Sequence, residues 1–233
     1  MLEPGLLKAI KNFTTCDLTS GTKIGDALVK LRVAHGGYLS GLKMYSPQYC
    51  SGSAKLCGPA HTVRMVHASD KTSPTLQQHF ADSITPGSVV FVSQPEGLIS
   101  ACWGGLMSTR ASKIGAAGVV IDGRFRDINE HRDINISLFA RGSSILGSNS
   151  FTRASEINVP VQYRIEEVED AGDVVIRPGD IIMGDADGVV AIPVEVVRDC
   201  VKLCQERADI DEKTMEALRN GEEMGPTLKR LRK

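Results

Sequence analysis

The stretch from Trp103 to Glu130 does most to restrict what this chain can fold into. Gly104 and Gly105 open a run free of proline and glycine, and helical composition extends over about residues 105–116. Gly118-Val119-Val120-Ile121 follows, a short β-branched run bounded by glycine, which reads as a strand buried on both faces. A helix feeding such a strand is half of a parallel, helix-covered unit. The expected class is therefore α/β.

The rest of the chain agrees with one α/β domain over residues 1–233, built of a β-rich layer and a helical layer. Residues 1–33 read as two helices, with Leu6, Leu7 and Ile10 on one face of the first. The second starts after Ser20 or Thr22 and carries Ile24, Ala27, Leu28 and Leu31. Residues 35–58 read as a long irregular segment closed by Gly58-Pro59, and His61–His67 alternates like a half-buried strand. A short helix is expected at about 74–84, ending at Pro86-Gly87 ahead of a strand at Ser88–Val92. Val161–Ile165, Val174–Ile176, Ile181–Met183 and Val189–Ile192 are further strands, separated by tight-turn chemistry. Pro193 suits the first turn of a long C-terminal helix stopped by Gly221, and the basic tail Lys229–Lys233 is expected to be frayed.

Composition excludes several functions. Net charge is −1, so no overall field attracts nucleic acid or anionic lipid. Aromatics make up 5%, too few for base-stacking platforms, and no apolar run is long enough to span a bilayer. The first dozen residues lack the pattern of a secretory signal, so a cytoplasmic location is expected. The six cysteines form no C-x-x-C pair; Cys200 and Cys204, four apart on a helix, read as small core hydrophobes. There is no G-x-G-x-x-G and no Walker loop.

What remains is the chemistry at the two ends of the 103–130 unit. Backbone N–H groups of Gly104, Gly105, Leu106 and Met107 at a helix start can approach an anion closely. The chain returns at the carboxyl end of the strand, where ligands sit in α/β folds, with Arg126, Asp127 and Glu130. Asp127 and Glu130 share a face in a helical turn, and their hard oxygens suit Mg²⁺ or Mn²⁺. Arg126 offers a planar fork to a carboxylate or keto oxygen. His131 stands four residues from Asp127, either on that metal face or at the surface. Taken alone, paired glycines are a turn and Arg-Asp-x-x-Glu is a solvated loop with local ion pairs. Their meeting in one unit points to a site.

The run GLISACWGGLMSTRASKIGAAGVVIDGRFRD, followed by RPGDIIMGDADGVVAIP, resembles the family of the regulator of ribonuclease E activity A. Within it the chain is most similar to the divalent-metal 4-hydroxy-4-methyl-2-oxoglutarate aldolases, which also decarboxylate oxaloacetate. The similarity covers about 20–193, leaving 194–233 as C-terminal helix and tail, and Gly105, Arg126, Asp127 and Glu130 match the spacing Gly-x20-Arg-Asp-x2-Glu. The resemblance implies a swivelling β/β/α domain, homotrimers that also stack as hexamers, and a divalent metal, Mg²⁺ foremost, with Mn²⁺ or Co²⁺ as substitutes. It implies Asp127 as metal ligand, Arg126 as substrate arginine and Gly104 to Met107 as cradle of the substrate carboxylate. Many bacterial aldolases of this type have an acidic residue where this chain has Gly105, and Glu130 is the carboxylate left to supply it through water.

The function implied is a lyase acting on small 2-oxo acids. It cleaves 4-hydroxy-4-methyl-2-oxoglutarate and 4-carboxy-4-hydroxy-2-oxoadipate by retro-aldol and decarboxylates oxaloacetate. Both routes pass through a pyruvate enolate stabilised by metal and Arg126. Glu130, acting through water, is the candidate base. A Schiff-base aldolase has little support, because no strand candidate holds a lysine. The alternative outside catalysis is a ring-shaped protein that binds and inhibits a ribonuclease.

Overall fold

A computed structural model describes residues 4–16, 23–165 and 172–232. The described chain divides into two compact units, one holding residues 38–194 and one holding both terminal stretches, up to Gly37 and from Glu195.

The larger unit is a mixed α/β fold. Its strands are β1 (Lys43–Ser46), β2 (Leu56–His67), β3 (Val89–Ser93), β4 (Gly118–Phe125), β5 (Leu138–Ser143), β6 (Thr152–Ile157), β7 (Val161–Arg164), β8 (Asp173–Ile176), β9 (Ile181–Asp185) and β10 (Gly188–Ile192). Eight of them make one sheet in the order β1-β5-β4-β3-β2-β9-β10, with β6 also on β2, while β7 and β8 pair as a hairpin. β2 through β5 are parallel in the order β2-β3-β4-β5. Tyr38 bridges Val190 of β10, so the sheet is nearly closed on itself.

The parallel strands explain the apolar runs. In β3, Val89 and Phe91 enter one core cluster, while Val90 and Val92 enter the other. In β4, Val120 faces the first cluster, and Val119 and Ile121 face the second. A period of two with both faces covered leaves no polar position. Each such side chain contributes roughly 1.5–3 kcal/mol of burial. Helix α1 of this unit spans Gly105–Ile114 and joins β3 to β4, and the left-handed Gly115 (φ 90°) ends it by donating to the carbonyls of Ala111 and Ser112. Helix α2 spans Ile128–Asp133 and joins β4 to β5.

Several expectations are corrected. Residues 35–58 are not wholly irregular, since β1 lies within them and β2 already starts at Leu56. Gly58-Pro59 is inside that strand rather than a stop: a Cβ on Gly58 would lie 2.4 Å from the Gly87 carbonyl oxygen, so glycine is needed for a close backbone approach. The helix expected at 74–84 is only a 3₁₀ turn, Phe80–Ser83. Arg153 takes the carbonyls of Asp70, Ser73 and Pro74, which fixes the preceding chain in a non-helical course.

In the smaller unit, helices span Pro4–Lys11, Ile24–Lys30, Val197–Arg219 and Met224–Leu231. The expected start of the second, at Ser20 or Thr22, lies outside the described residues. Cys200, Val201 and Cys204 are buried on one face of the long helix, as their spacing requires. The basic tail is not frayed through its described part: it is a helix, tied back by Arg230–Glu222 and Arg232–Asp211 ion pairs. Among the described residues, no helix is long and apolar enough to cross a membrane.

Candidate functional site

The site forms where β4 runs out of the sheet. Residues 102–103 continue alongside it: the Cys102 N–H donates to the Arg124 carbonyl (2.9 Å), and the Arg126 N–H donates to the Trp103 carbonyl (3.0 Å). This short parallel pairing brings Gly104 and Gly105, at the start of α1, beside Arg126 and Asp127. The Gly105 N–H then donates to Asp127 Oδ2 at 2.9 Å, and Arg126 Nε stands 3.6 Å from the same oxygen. Asp127 itself is in the left-handed region (φ 66°, ψ 53°), which costs a non-glycine residue roughly 1–2 kcal/mol. Strain of this kind persists where surrounding bonds over-determine it.

Glycine at 104 follows from the same packing. A Cβ there would lie 2.8 Å from Asp127 Oδ2 and 3.3 Å from Arg126 Nε. At 105 the neighbours differ: the added carbon would meet Glu130 Cβ at 3.0 Å, Glu130 Cγ at 3.3 Å and Asp127 Cβ at 3.4 Å. The stem of Glu130 thus fills the space beside Gly105 that an acidic side chain would otherwise take.

Gly104, Leu106, Met107, Arg126 and Asp127 line one cavity of about 270 Å³. Gly105 and Glu130 are outside its lining, Gly105 reaching it only through its bond to Asp127. The cradle is narrower than the sequence suggests: the Gly105 N–H is taken by Asp127, and the Met107 N–H by the Gly104 carbonyl. Among the described residues no partner takes the Gly104 or Leu106 N–H, so these two could meet an anion. The side chains of Arg126 and Asp127 are 47% and 35% exposed, so both groups are accessible.

His131 is on neither the metal face nor the surface. It is fully buried, with Nε2 2.6 Å from the Arg126 carbonyl and Nδ1 2.9 Å from Ser108 Oγ. Burial pushes its pKa below the ordinary imidazole value; the Arg126 carbonyl and the Asp127 and Glu130 carboxylates pull the other way without overcoming that effect. Four other residues of the cavity wall carry no signal in the sequence. His79 accepts the Ala81 N–H on Nδ1, Asp82 and Arg110 form a 2.7 Å ion pair, and Ser148 completes the wall. Asp82 and Arg110 are 28 residues apart, and no motif links them.

A larger cavity of about 820 Å³ opens at the ends of β2, β3 and β4. Its guanidinium groups on Arg64, Arg141 and Arg164 are paired with Glu156, Asp122 and Glu96, so it offers less unspent charge than its size suggests. No cluster of three or more His, Cys, Asp or Glu is gathered among the described residues.

The family model described as "RraA-like: Aldolase/RraA" matches residues 21–191, which include every residue of the site. The chain belongs to the RraA-like family. A relative from Halalkalibacterium halodurans, named "Putative 4-hydroxy-4-methyl-2-oxoglutarate aldolase", is 37% identical over 60% of this chain and 60% of its own. The chain therefore spans less than two thirds of that relative's length. The RraA-like fold is also seen in a crystal structure of an uncharacterized protein from Pseudomonas syringae pv. tomato str. DC3000. That structure has a TM-score of 0.77 at 24% identity, covering 97% of this chain and 98% of the other. Streptomyces coelicolor RraAS2, described as an unusual member of the RNase ES inhibitor RraA protein family, gives 0.69 at 23%, covering 94% and 98%. At these identities the two structures speak for the fold alone.

Proposed function

We propose that this chain is a divalent-metal-dependent carbon–carbon lyase. It would cleave 4-hydroxy-4-methyl-2-oxoglutarate and 4-carboxy-4-hydroxy-2-oxoadipate and decarboxylate oxaloacetate. The observation that carries the reading is that an arginine fork, a partly exposed carboxylate and two helix-start residues whose N–H groups have no partner among the described residues line one cavity. The aldolase names of several relatives support it.

The donor chemistry fits magnesium. Asp127, with Glu130 three residues on, gives an oxygen-only set of one or two carboxylates, the donor type and number that would hold Mg²⁺. Bound there, the ion would act as a Lewis acid toward the 2-oxo group.

The chain's own residues account for the rest. The Gly104 and Leu106 N–H groups, at the positive end of α1, hold the substrate carboxylate. Arg126 binds the 2-oxo oxygen and meets the negative charge that grows there as a carbon–carbon bond breaks. In the retro-aldol direction Glu130, through water, takes the C4-hydroxyl proton. The C3–C4 electron pair then moves into the C2–C3 bond, C4 becomes the carbonyl of one product, and the enolate of pyruvate is protonated at C3. Oxaloacetate reaches the same enolate by losing CO₂, with no base required. Assembly as a homotrimer belongs to this reading.

The test is pyruvate production from oxaloacetate and from 4-hydroxy-4-methyl-2-oxoglutarate, with Mg²⁺, Mn²⁺ or Co²⁺ and with EDTA. Turnover abolished by EDTA and restored by metal is expected. No turnover with any of the three ions overturns the proposal.

A further inference from the structure

Trp103 reaches Arg126 by two routes. Its backbone carbonyl accepts the Arg126 N–H, and its indole Nε1–H donates to Ser108 Oγ at 2.7 Å. Ser108 Oγ is 2.9 Å from His131 Nδ1, and His131 Nε2 is 2.6 Å from the Arg126 carbonyl oxygen. The two routes close a ring, and the three side chains in it are between 0% and 1% exposed.

The direction of the chain follows from its ends. An indole nitrogen only donates and a carbonyl oxygen only accepts. His131 must therefore carry its proton on Nε2 and donate it to Arg126. Its Nδ1 then accepts the Ser108 hydroxyl proton, leaving the Ser108 lone pairs for Trp103. For the neutral imidazole, the form that burial favours, no other assignment satisfies all three bonds. The peptide groups flanking Arg126 are thereby held at both N–H and C=O, while its guanidinium, 3.6 Å from Asp127 Oδ2 at Nε, lines the cavity. The next residue, Asp127, has the strained backbone described above.

We propose that Ser108 and His131 are positioning residues, which with Trp103 hold the Arg126–Asp127 turn in register with the start of α1. The proposal rests on the reading of this cavity as the place where a 2-oxo acid is held. It differs from the packing role of an ordinary buried histidine because the position of each proton matters, not only the filled volume.

Ser108→Ala and His131→Leu break the chain. His131→Gln can keep it, since its amide donates to the Arg126 carbonyl while its carbonyl oxygen accepts from Ser108. Three measurements apply to the full chain at temperatures where each variant is folded. Amide exchange over residues 124–130 reads the turn without any ligand. Pyruvate titration in Mg²⁺ is followed by the emission of Trp103, the single tryptophan of the sequence. Oxaloacetate decarboxylation gives kcat and KM.

In the two broken variants we expect exchange over 124–130 to rise by about tenfold or more, with peptides of the other strands unchanged. Pyruvate affinity and kcat/KM should each fall by about tenfold or more, and His131→Gln should recover all three to within about threefold. Unchanged exchange in the broken variants, or a Gln variant as impaired as the Leu variant, overturns the proposal. A wild-type chain that neither binds pyruvate nor turns over oxaloacetate would remove the proposed function instead. The exchange pattern would then still decide the positioning role.

Discussion

Asp180 and Asp127 are both carboxylates in turns at the ends of interior strands, and they are used in opposite ways. Asp180 is 2% exposed; its Oδ2 accepts the Arg177 N–H at 2.8 Å and its Oδ1 accepts the Val194 N–H at 3.2 Å. Both oxygens are occupied by backbone, so its charge serves the turn that leads into β9. Asp127 is bonded by one N–H, from a glycine 22 residues away, on a left-handed backbone, with 35% of its side chain exposed. No protein donor among the described residues bonds its other oxygen. A carboxylate spent on its own turn holds the fold, whereas one held by a distant backbone with an oxygen left over is available for chemistry.

The sharpest way to break this comparison is Asp127→Asn, which keeps size and an acceptor for Gly105 but removes the charge. We expect kcat for oxaloacetate to fall on the order of 10³-fold, because in the proposed reading a charged metal ligand is lost. Melting should move by only about 2 °C or less. Arg126→Lys keeps charge without the fork and should cost on the order of 10²-fold in kcat/KM. Activity within about twofold of wild type in either variant would place that residue among the structural groups, beside Asp180.

Asp180→Ala should show the reverse pattern. Two backbone N–H groups lose buried acceptors, so unfolding free energy should drop by about 2 kcal/mol or more. The folded fraction should keep its kcat. Denaturant unfolding followed by kinetics in the native baseline reads both quantities, and a change in kcat at full folding would mean that this turn is coupled to the site.

The difference between the two aspartates was only half legible in the sequence. Arg177-Pro178-Gly179-Asp180 announces a turn, and Gly104-Gly105 with Arg126-Asp127 announces a site, because both signals are local. The apolar runs of β3 and β4 were equally plain, since burial on both faces leaves no polar residue to confuse the period. β5 and β6 gave no such signal: Leu138–Ser143 keeps Arg141 in its interior, and Thr152–Ile157 is mostly polar because it is only partly covered. His131 was misplaced because spacing from Asp127 says nothing about what α2 packs against. The bonds that decide its role run to Ser108, 23 residues earlier, and to a backbone carbonyl. The narrowing of the cradle by the Gly105–Asp127 bond is long-range for the same reason.

Acid offers a smaller effect that separates histidine from carboxylate. His61 and His131 are both buried, and burial lowers both pKa values. Below the ordinary imidazole pKa of about 6.5 the unfolded chain takes up protons that the native chain does not. Stability from this source is complete above that value and is lost as pH falls from it toward the depressed native values. Between pH 7.5 and 5.5 ordinary carboxylates stay ionised, so a lower melting temperature at pH 5.5 reports the histidines. His131→Gln should flatten part of that slope, and an unaltered slope would leave His61 as its source.

The smallest expected effect tests where the site ends. At Gly105 an added methyl lies 3.0 Å from Glu130 Cβ, closer than side chains normally approach, so the backbone of α2 has to give by a few tenths of an ångström. The helix gains from losing a glycine, so Gly105→Ala should change stability by no more than about 1 kcal/mol. Its displaced neighbour is the carboxylate assigned to the proton, so 4-hydroxy-4-methyl-2-oxoglutarate cleavage should fall several-fold more than oxaloacetate decarboxylation, which needs no base. Gly105→Asp restores an acid at that place and should preserve or raise decarboxylation, its extra charge opposing substrate carboxylate binding through KM rather than kcat. Steady-state kinetics on both substrates and thermal melts for both variants decide the matter. Equal melting shifts with unchanged kinetics would end the site at Asp127, leaving Glu130 as a side chain that fills the space beside a glycine.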